Sequence, residues 1–298
     1  MQAIEALRAF FAQEPDVAAV YLYGRYAGDR SYPDTDIEIA LLFPEETDEE
    51  AIRDYMDRLA GAAPLGGEPG ILLPFALNTH IPPVIYEILH GGTLLVENHP
   101  EARAAAVRAL EARVEGERAS LLEDAKEAIL QARSLGLAVA ALDGFVLPQP
   151  PRYLDPIRVG WRLARVLGSA AVLDQALRDV DRLLREQERL AQAAGWYSNA
   201  VGAATGIAKA MLTMFAMPRP PRRWQVFLPL ADSGLISTEL ALQLGAAVEL
   251  RWSLMTGGAV AAERVVGGIR SALPPVVAFA RLAAWYAEVP GGRAQPVH

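Results

Sequence analysis

The chain has 298 residues, enough for two domains with a buried core each, and 52% of them are apolar, which excludes a largely disordered protein. It contains no cysteine, so disulfides, thiolate metal sites and cysteine nucleophiles are all ruled out. The formal net charge of −8 is unevenly spread, with 17 acids and 5 bases in residues 1–100 against 11 acids and 16 bases in residues 151–290, halves of opposite sign that could steer unlike partners or simply be two differently solvated surfaces.

Residues 2–13 carry Ile4, Leu7, Phe10 and Phe11 at a helical spacing, which predicts a helix packed over the first strand. The next stretch, residues 20–43, reads as a β-branched and aromatic run ending at Tyr23, a turn at Gly24 and Arg25, a polar loop, and a second strand in which Asp36 and Glu38 alternate with Ile37 and Ile39. Side chains two apart on a strand share a face, so both carboxylates point the same way. Two carboxylates on one face are what a magnesium site needs.

Thr47 followed three residues later by Glu50 is a capping-box pattern and predicts a helix over residues 48–62. Residues 63–70 are a Gly/Pro loop, residues 71–78 a strand, and Pro74 inside that strand predicts an edge position or a bulge. Pro82 and Pro83 predict a break, then a short helix over 84–89 and a last strand over 91–97. His80, His90 and His99 fit no metal-ligand spacing and read as ordinary surface histidines. A helix follows over 101–135, then a loop over 136–151 whose Pro-rich end marks a domain boundary.

Everything beyond is helical by pattern. Segments 157–167 and 177–194 come first, the latter with Arg178, Arg182, Arg185 and Arg189 interleaved with acids in the manner of a solvated, ion-paired face. An apolar, small-residue helix over 197–217 suits a bundle core or a dimer seam. The basic loop Arg219, Arg222, Arg223 could touch phosphate, but three arginines in an acidic protein more simply make a soluble connection. Ser237 is placed to cap a helix running through Gly258, and a final helix over 259–288 should kink or break at Pro274 and Pro275. No window approaches the ~18 consecutive apolar residues of a membrane span and no leader pattern is present, so the expected location is the cytoplasm.

Tyr23-Gly24 together with Thr35-Asp36-Ile37-Glu38-Ile39-Ala40-Leu41-Leu42-Phe43 resembles the signature of the polymerase-β-type minimal nucleotidyltransferases, Leu-Phe-Gly-Ser followed by Ser-Asp-Ile-Asp-Leu-Ala-Val-Leu-Phe. The likeness extends over residues 1–100 and implies Gly24 and Arg25 at a nucleotide, Asp36 and Glu38 on Mg2+, and ATP or another nucleotide as ligand. The sequence departs from the family in three places. Arg25 replaces the phosphate-binding serine, Glu38 replaces the second aspartate, and residues 72–78 contain no counterpart of the third carboxylate.

Residues 155–288 resemble a HEPN domain of the HepT-like kind, through Gly234-Leu-Ile-Ser-Thr-Glu-Leu-Ala-Leu-Gln-Leu244 and the segment from Arg251 to Gly258. That family cleaves RNA with an Arg and a His assembled across a dimer; here Arg251 is kept, but Thr256 stands at the His position and Gly258 at the position of the Tyr that a partner nucleotidyltransferase modifies. A threonine hydroxyl cannot act as a base at neutral pH, which removes the family's ribonuclease mechanism.

The sequence therefore predicts an α+β chain. It divides into a nucleotidyltransferase-like domain (1–100), a helical connector (101–150), a HEPN-like bundle (151–290) and a tail (291–298). The expected function is that of a non-catalytic, toxin–antitoxin-type fusion acting by nucleotide or protein binding and forming a homodimer through its helical half. The alternative is a Mg2+-dependent enzyme moving AMP from ATP to a small-molecule or protein hydroxyl, an order of domains that also resembles the aminoglycoside nucleotidyltransferases. A third reading, RNA binding through Arg219, Arg222, Arg223 and Arg251, sits poorly with the net charge.

Overall fold

The structure is a computed structural model that describes residues 2–23, 37–59, 72–134, 153–218, 220–255 and 260–290. The chain divides into two compact units, Met1–Leu121 and Leu122–His298.

The first unit is built on a four-stranded sheet. After α1 (Gln2–Phe11) come β1 (Ala19–Tyr23), β2 (Ile37–Leu42), α2 (Glu49–Leu59), β3 (Leu72–Ala76), α3 (Pro82–Gly91) and β4 (Thr93–Glu97), with strand order β3-β2-β1-β4. β1 runs antiparallel to both β2 and β4, whereas β2 and β3 are parallel, so the sheet is mixed. Pro74 sits on β3, an edge strand, where its missing N–H costs no ladder bond on the open side. One face of the sheet presents Val20, Leu22, Ile37, Ile39 and Leu41 to a core shared with Leu7 and Phe11 of α1 and Ile52 and Tyr55 of α2. Asn98 ties the start of the unit to its end: its Nδ2 donates to the carbonyls of Phe11, Glu14 and Val17 in the turns that follow α1.

Two local expectations are corrected here. The cap of α2 is Asp48, whose Oδ1 accepts from Ala51 N at 2.7 Å, because the N–H of Thr47 closes a turn onto Pro44 O and the helix begins one residue later. Pro82 and Pro83 start α3 instead of breaking the chain before it; they fill the first helical positions, where an N–H has no acceptor in any case. His90 consequently lies in the last turn of α3, its Nδ1 at 2.8 Å from Tyr86 O, while His99 Nε2 lies 2.8 Å from Pro15 O.

The long helix α4 (Pro100–Ser134) gives its first part to one unit and its last part to the other, so no separate connector stands at residues 101–134. The expected loop at 136–151 and the tail at 291–298 lie outside the described residues.

The second unit is helical: α5 (Pro156–Ala176), α6 (Val180–Arg185), α7 (Gln187–Met214), a 3₁₀ turn (Arg223–Phe227), α8 (Leu228–Asp232), α9 (Thr238–Met255) and α10 (Ala262–Trp285). Asp155 caps α5 by accepting from Ile157 N and Arg158 N, and Ser237 caps α9 by accepting from Leu240 N. The helix expected over 177–194 is instead broken at Glu186, whose backbone is extended at φ −105°, and α7 absorbs the rest together with the helix expected from 197. The break places Glu186 between Arg182 and Arg189 as a shared ion-pair partner.

α10 was expected to kink or break at Pro274-Pro275, yet the helix runs through both. An interior proline costs about 3 kcal/mol or more. Burying a large apolar side chain returns roughly 1.5–3 kcal/mol each, and beyond the prolines Val276, Phe279 and Leu282 are all 1% exposed or less. Packing outweighs the backbone penalty. By length and composition α10 is the one described helix able to cross a membrane, but 56% of its most apolar window is buried in the unit itself, as in the core helix of a bundle.

Candidate functional site

In the first unit the end of β1 and the beginnings of β2 and β3 meet at one end of the sheet. Tyr23 of β1 faces Glu38 of β2, and Glu38 is in register with Leu73 of β3. Since neighbours on one rung share a face, Tyr23, Glu38 and Leu73 project to the same side, opposite the buried face of Ile37 and Ile39. Glu38 is half-buried. Gly24, Arg25 and Asp36, the other residues singled out for nucleotide and metal, lie outside the described residues, so of that set only Glu38 is placed.

Aromatic rings continue the site side. Phe75, two residues beyond Leu73, meets Tyr23 edge-on with centroids 6.3 Å apart, and His80 meets Phe75 edge-on at 5.0 Å. The turn that carries His80 is pinned from two sides. Arg113 of α4 donates to Asn78 O and His80 O, and the Asn78 side chain both accepts from Phe43 N and donates to Phe43 O. The N–H of Ile81 donates to His80 Nδ1 at 2.9 Å. Sequence spacing treated His80 as an ordinary surface residue. The signal that it belongs to this corner is the aromatic alternation Phe75, Tyr23 across two strands, visible only once β1, β2 and β3 are aligned.

Nearby, Tyr21 anchors α4. The Nε of Arg103 donates to the Tyr21 hydroxyl at 2.9 Å, its Nη1 to Glu97 at 3.0 Å, and the hydrogen bond to Tyr21 raises the guanidinium pKa further above neutrality. This is a fastening between α4, β1 and β4.

A magnesium ion would need several carboxylate oxygens, and the rung of Glu38 offers an aromatic ring on one side and an aliphatic side chain on the other. No group of three or more His, Asp or Glu able to hold a metal occurs among the described residues. Of the two carboxylates expected on the ion, Glu38 is the one among the described residues.

In the second unit Arg251 of α9 lies against α7: its Nε donates to Ser198 O at 3.0 Å and its guanidinium passes over Gly202, where an added Cβ would sit 3.5 Å away in ordinary contact. Its neighbour Trp252 lies under the guanidinium of Arg223, 3.1 Å from ring centre to Cζ. These contacts give Arg251 a role in joining two helices. Thr256 and Gly258 lie outside the described residues.

Residues 5–101 match the family model described as polymerase beta, nucleotidyltransferase. No curated protein and no solved structure matches the chain. The small mixed sheet with its helices is consistent with that match, and the first unit is accordingly a nucleotidyltransferase-like domain, followed by a mostly helical region.

Proposed function

We propose that the chain is a non-catalytic nucleotidyltransferase-like protein, fused to a HEPN-like helical domain, that works by binding a nucleotide or another protein. The observation that carries this reading is the register of β2 and β3, which sets Leu73 directly beside Glu38. In the minimal nucleotidyltransferases that the first unit resembles, a third carboxylate comes from this strand, and a leucine there can neither coordinate a cation nor take a proton. On this reading the toxin–antitoxin likeness is one of scaffold, with the two partners' domains joined and both reactions lost.

Incubation with ATP labelled on the α-phosphate, in magnesium, tests the proposal against a set of hydroxyl-bearing acceptors and against the protein itself. No transfer is expected. Transfer that Asp36→Ala abolishes would establish the rival reading, a magnesium-dependent enzyme placing AMP on a small-molecule or protein hydroxyl. That rival is favoured by the family match over residues 5–101 and by the retained pair Asp36 and Glu38. Titration calorimetry with ATP and magnesium then separates the two forms of the proposal, since absence of heat at millimolar nucleotide leaves the protein-binding form.

A further inference from the structure

α5 and α7 lie side by side and antiparallel. Arg162 of α5 lies over Gly206 of α7, and Arg165, a turn further along α5, donates from Nη2 to Asn199 Oδ1 at 2.7 Å, two turns back along α7. From the other flank α9 sets Arg251 on the same helix, its Nε on Ser198 O and its guanidinium over Gly202. Asn199, Gly202, Gly206 and Lys209 recur at steps of three and four residues, so they form one strip along α7, about 15 Å long. All four are half-buried, which leaves the strip open to solvent along its length. A Cβ on Gly206 would stand 2.4 Å from Arg162 Nε, so glycine there is what admits the guanidinium. By the same register Arg158, a turn before Arg162, comes level with Lys209, a turn beyond Gly206.

The charges on this strip are of one sign. Neither α5 from Pro156 to Leu173 nor α7 from Arg189 to Met214 contains an aspartate or a glutamate, although the whole protein carries −8. Elsewhere on the unit arginines are answered in place, Arg178 by Asp174 and Arg182 by Glu186. Here Arg162 Nη1 donates to Arg158 O at 2.6 Å and Arg165 to Asn199 Oδ1, both neutral acceptors. Arg162 is also the one charged side chain buried among the described residues, at 3% exposure. Cations four apart on a helix repel one another, and burying one of them adds a desolvation cost. The acids at the two ends of α5 are turned to other work, Asp155 capping the helix and Asp174 pairing with Arg178.

We propose that this strip binds a ligand carrying two or more phosphates in a row, either a nucleoside di- or triphosphate or the inorganic polyanion alone. A guanidinium meets phosphate oxygens in pairs of parallel hydrogen bonds, a match that a chain of phosphates repeats along its length. Arg165 and Lys209 stand at the open side and take the ligand directly, with Arg251 on the opposite flank. Arg162 adds its charge from beneath, where salt screens it least. Gly202 and Gly206 let the phosphates lie close to the helix, with no side chain between. The site belongs wholly to the second unit and needs no metal, so the inference does not rest on a nucleotide in the first unit.

Titration calorimetry of the full chain in magnesium-free buffer tests it, since a site that works through an ion on Asp36 and Glu38 is then silent. Tripolyphosphate and ATP should both release heat and adenosine none, with affinity falling as salt rises. Tighter binding of ATP than of tripolyphosphate identifies a nucleotide as the ligand, and equal binding the polyanion; both support the site. Arg165→Gln and Lys209→Gln should each weaken tripolyphosphate about tenfold, the worth of one charge-assisted contact. Arg178→Gln, which removes a cation paired elsewhere on the unit, should leave binding unchanged, as should Asp36→Ala. Arg165 is exposed and Lys209 half-buried, so circular dichroism of these variants should match the wild type. No heat from tripolyphosphate at millimolar concentration, or unweakened binding in both Arg165→Gln and Lys209→Gln, would overturn the proposal. So would an equal loss in Arg178→Gln, the mark of diffuse attraction, or a loss confined to Asp36→Ala, which would place the phosphates in the first unit.

Discussion

At the scale of single residues, two backbone positions invite direct comparison. α8 ends through Gly234 at φ +75°, with Gly234 N on Ala231 O and Leu235 N on Leu230 O, the paired bonds of a left-handed helix stop. α7 ends by the same device, with Ala216 N on Thr213 O and Met217 N on Leu212 O, but the left-handed residue is Ala216 at φ +52°. A Cβ in that conformation costs roughly 1–2 kcal/mol. Part of that gain is lost because glycine also frees the unfolded chain, so Ala216→Gly is expected to stabilise by about 0.5–1 kcal/mol in urea unfolding; a destabilised variant would show that the side chain has a packing role. Leu73 carries the second residue-scale test. If its place beside Glu38 is what denies the sheet a metal, Leu73→Asp should confer magnesium-dependent nucleotide affinity about tenfold above the wild type, or ~1.4 kcal/mol. Calorimetry with and without magnesium reads this directly, and an unchanged affinity would place the deficit elsewhere in the site.

At the scale of elements, the strands were legible because each states its own period. Ile37 and Ile39 alternate with Glu38, and the sheet buries the first two and half-exposes the third. Pro74 announced an edge, and Ser237 a helix start, through hydrogen-bonding capacity that does not depend on neighbours. What could not be read were features decided by packing at a distance. Pro274 and Pro275 are local helix breakers overruled by the burial of Phe279, which meets Phe227 edge-on at 5.1 Å. Arg251 stood out as a motif remnant, yet what occupies it is Ser198 O and the open flank of Gly202, fifty residues away in sequence. Of the candidate site the sequence could name Glu38; it could not name its rung partners, Tyr23 and Leu73, without the register. The closing of α1 is of the same long-range kind. Asn98→Ala would remove the amide that reaches the carbonyls of Phe11, Glu14 and Val17, of which Phe11 O and Glu14 O keep a backbone donor, and is expected to cost about 1–3 kcal/mol. The matching Asn98→Asp change removes the donor while keeping the shape. Thermal unfolding should rank both well below the wild type, and an alanine variant of unaltered stability would mean that water replaces the amide without loss.

At the scale of the molecule, the buried tyrosines couple stability to alkaline pH. Tyr197 and Tyr286, each 1% exposed, lie in the core of the second unit, and Tyr55, 4% exposed, in that of the first. Burial pushes all three hydroxyl pKa values well above the ordinary 10.0; at Tyr55 the carboxylate of Glu14, which accepts its hydroxyl at 3.0 Å, adds to the rise, and at Tyr197 the charge of Arg251 pulls weakly the other way. In the unfolded chain these groups release their protons near pH 10. Above that pH the folded state holds more protons than the unfolded one, so stability is complete below pH ~10 and falls as pH rises beyond it. Each group can contribute a loss of up to about 1.4 kcal/mol per pH unit. The second unit holds two of the three and should weaken at twice the rate of the first. Urea unfolding followed between pH 8 and pH 11 should show a midpoint that is level to about pH 9.5 and then declines. In the double variant Tyr197→Phe, Tyr286→Phe the decline of the second unit should flatten even though the variant is less stable at pH 8, since Tyr197 gives up a 2.8 Å bond to Ala247 O. A wild-type midpoint that holds level to pH 11 would mean that these hydroxyls reach solvent far more readily than their burial implies.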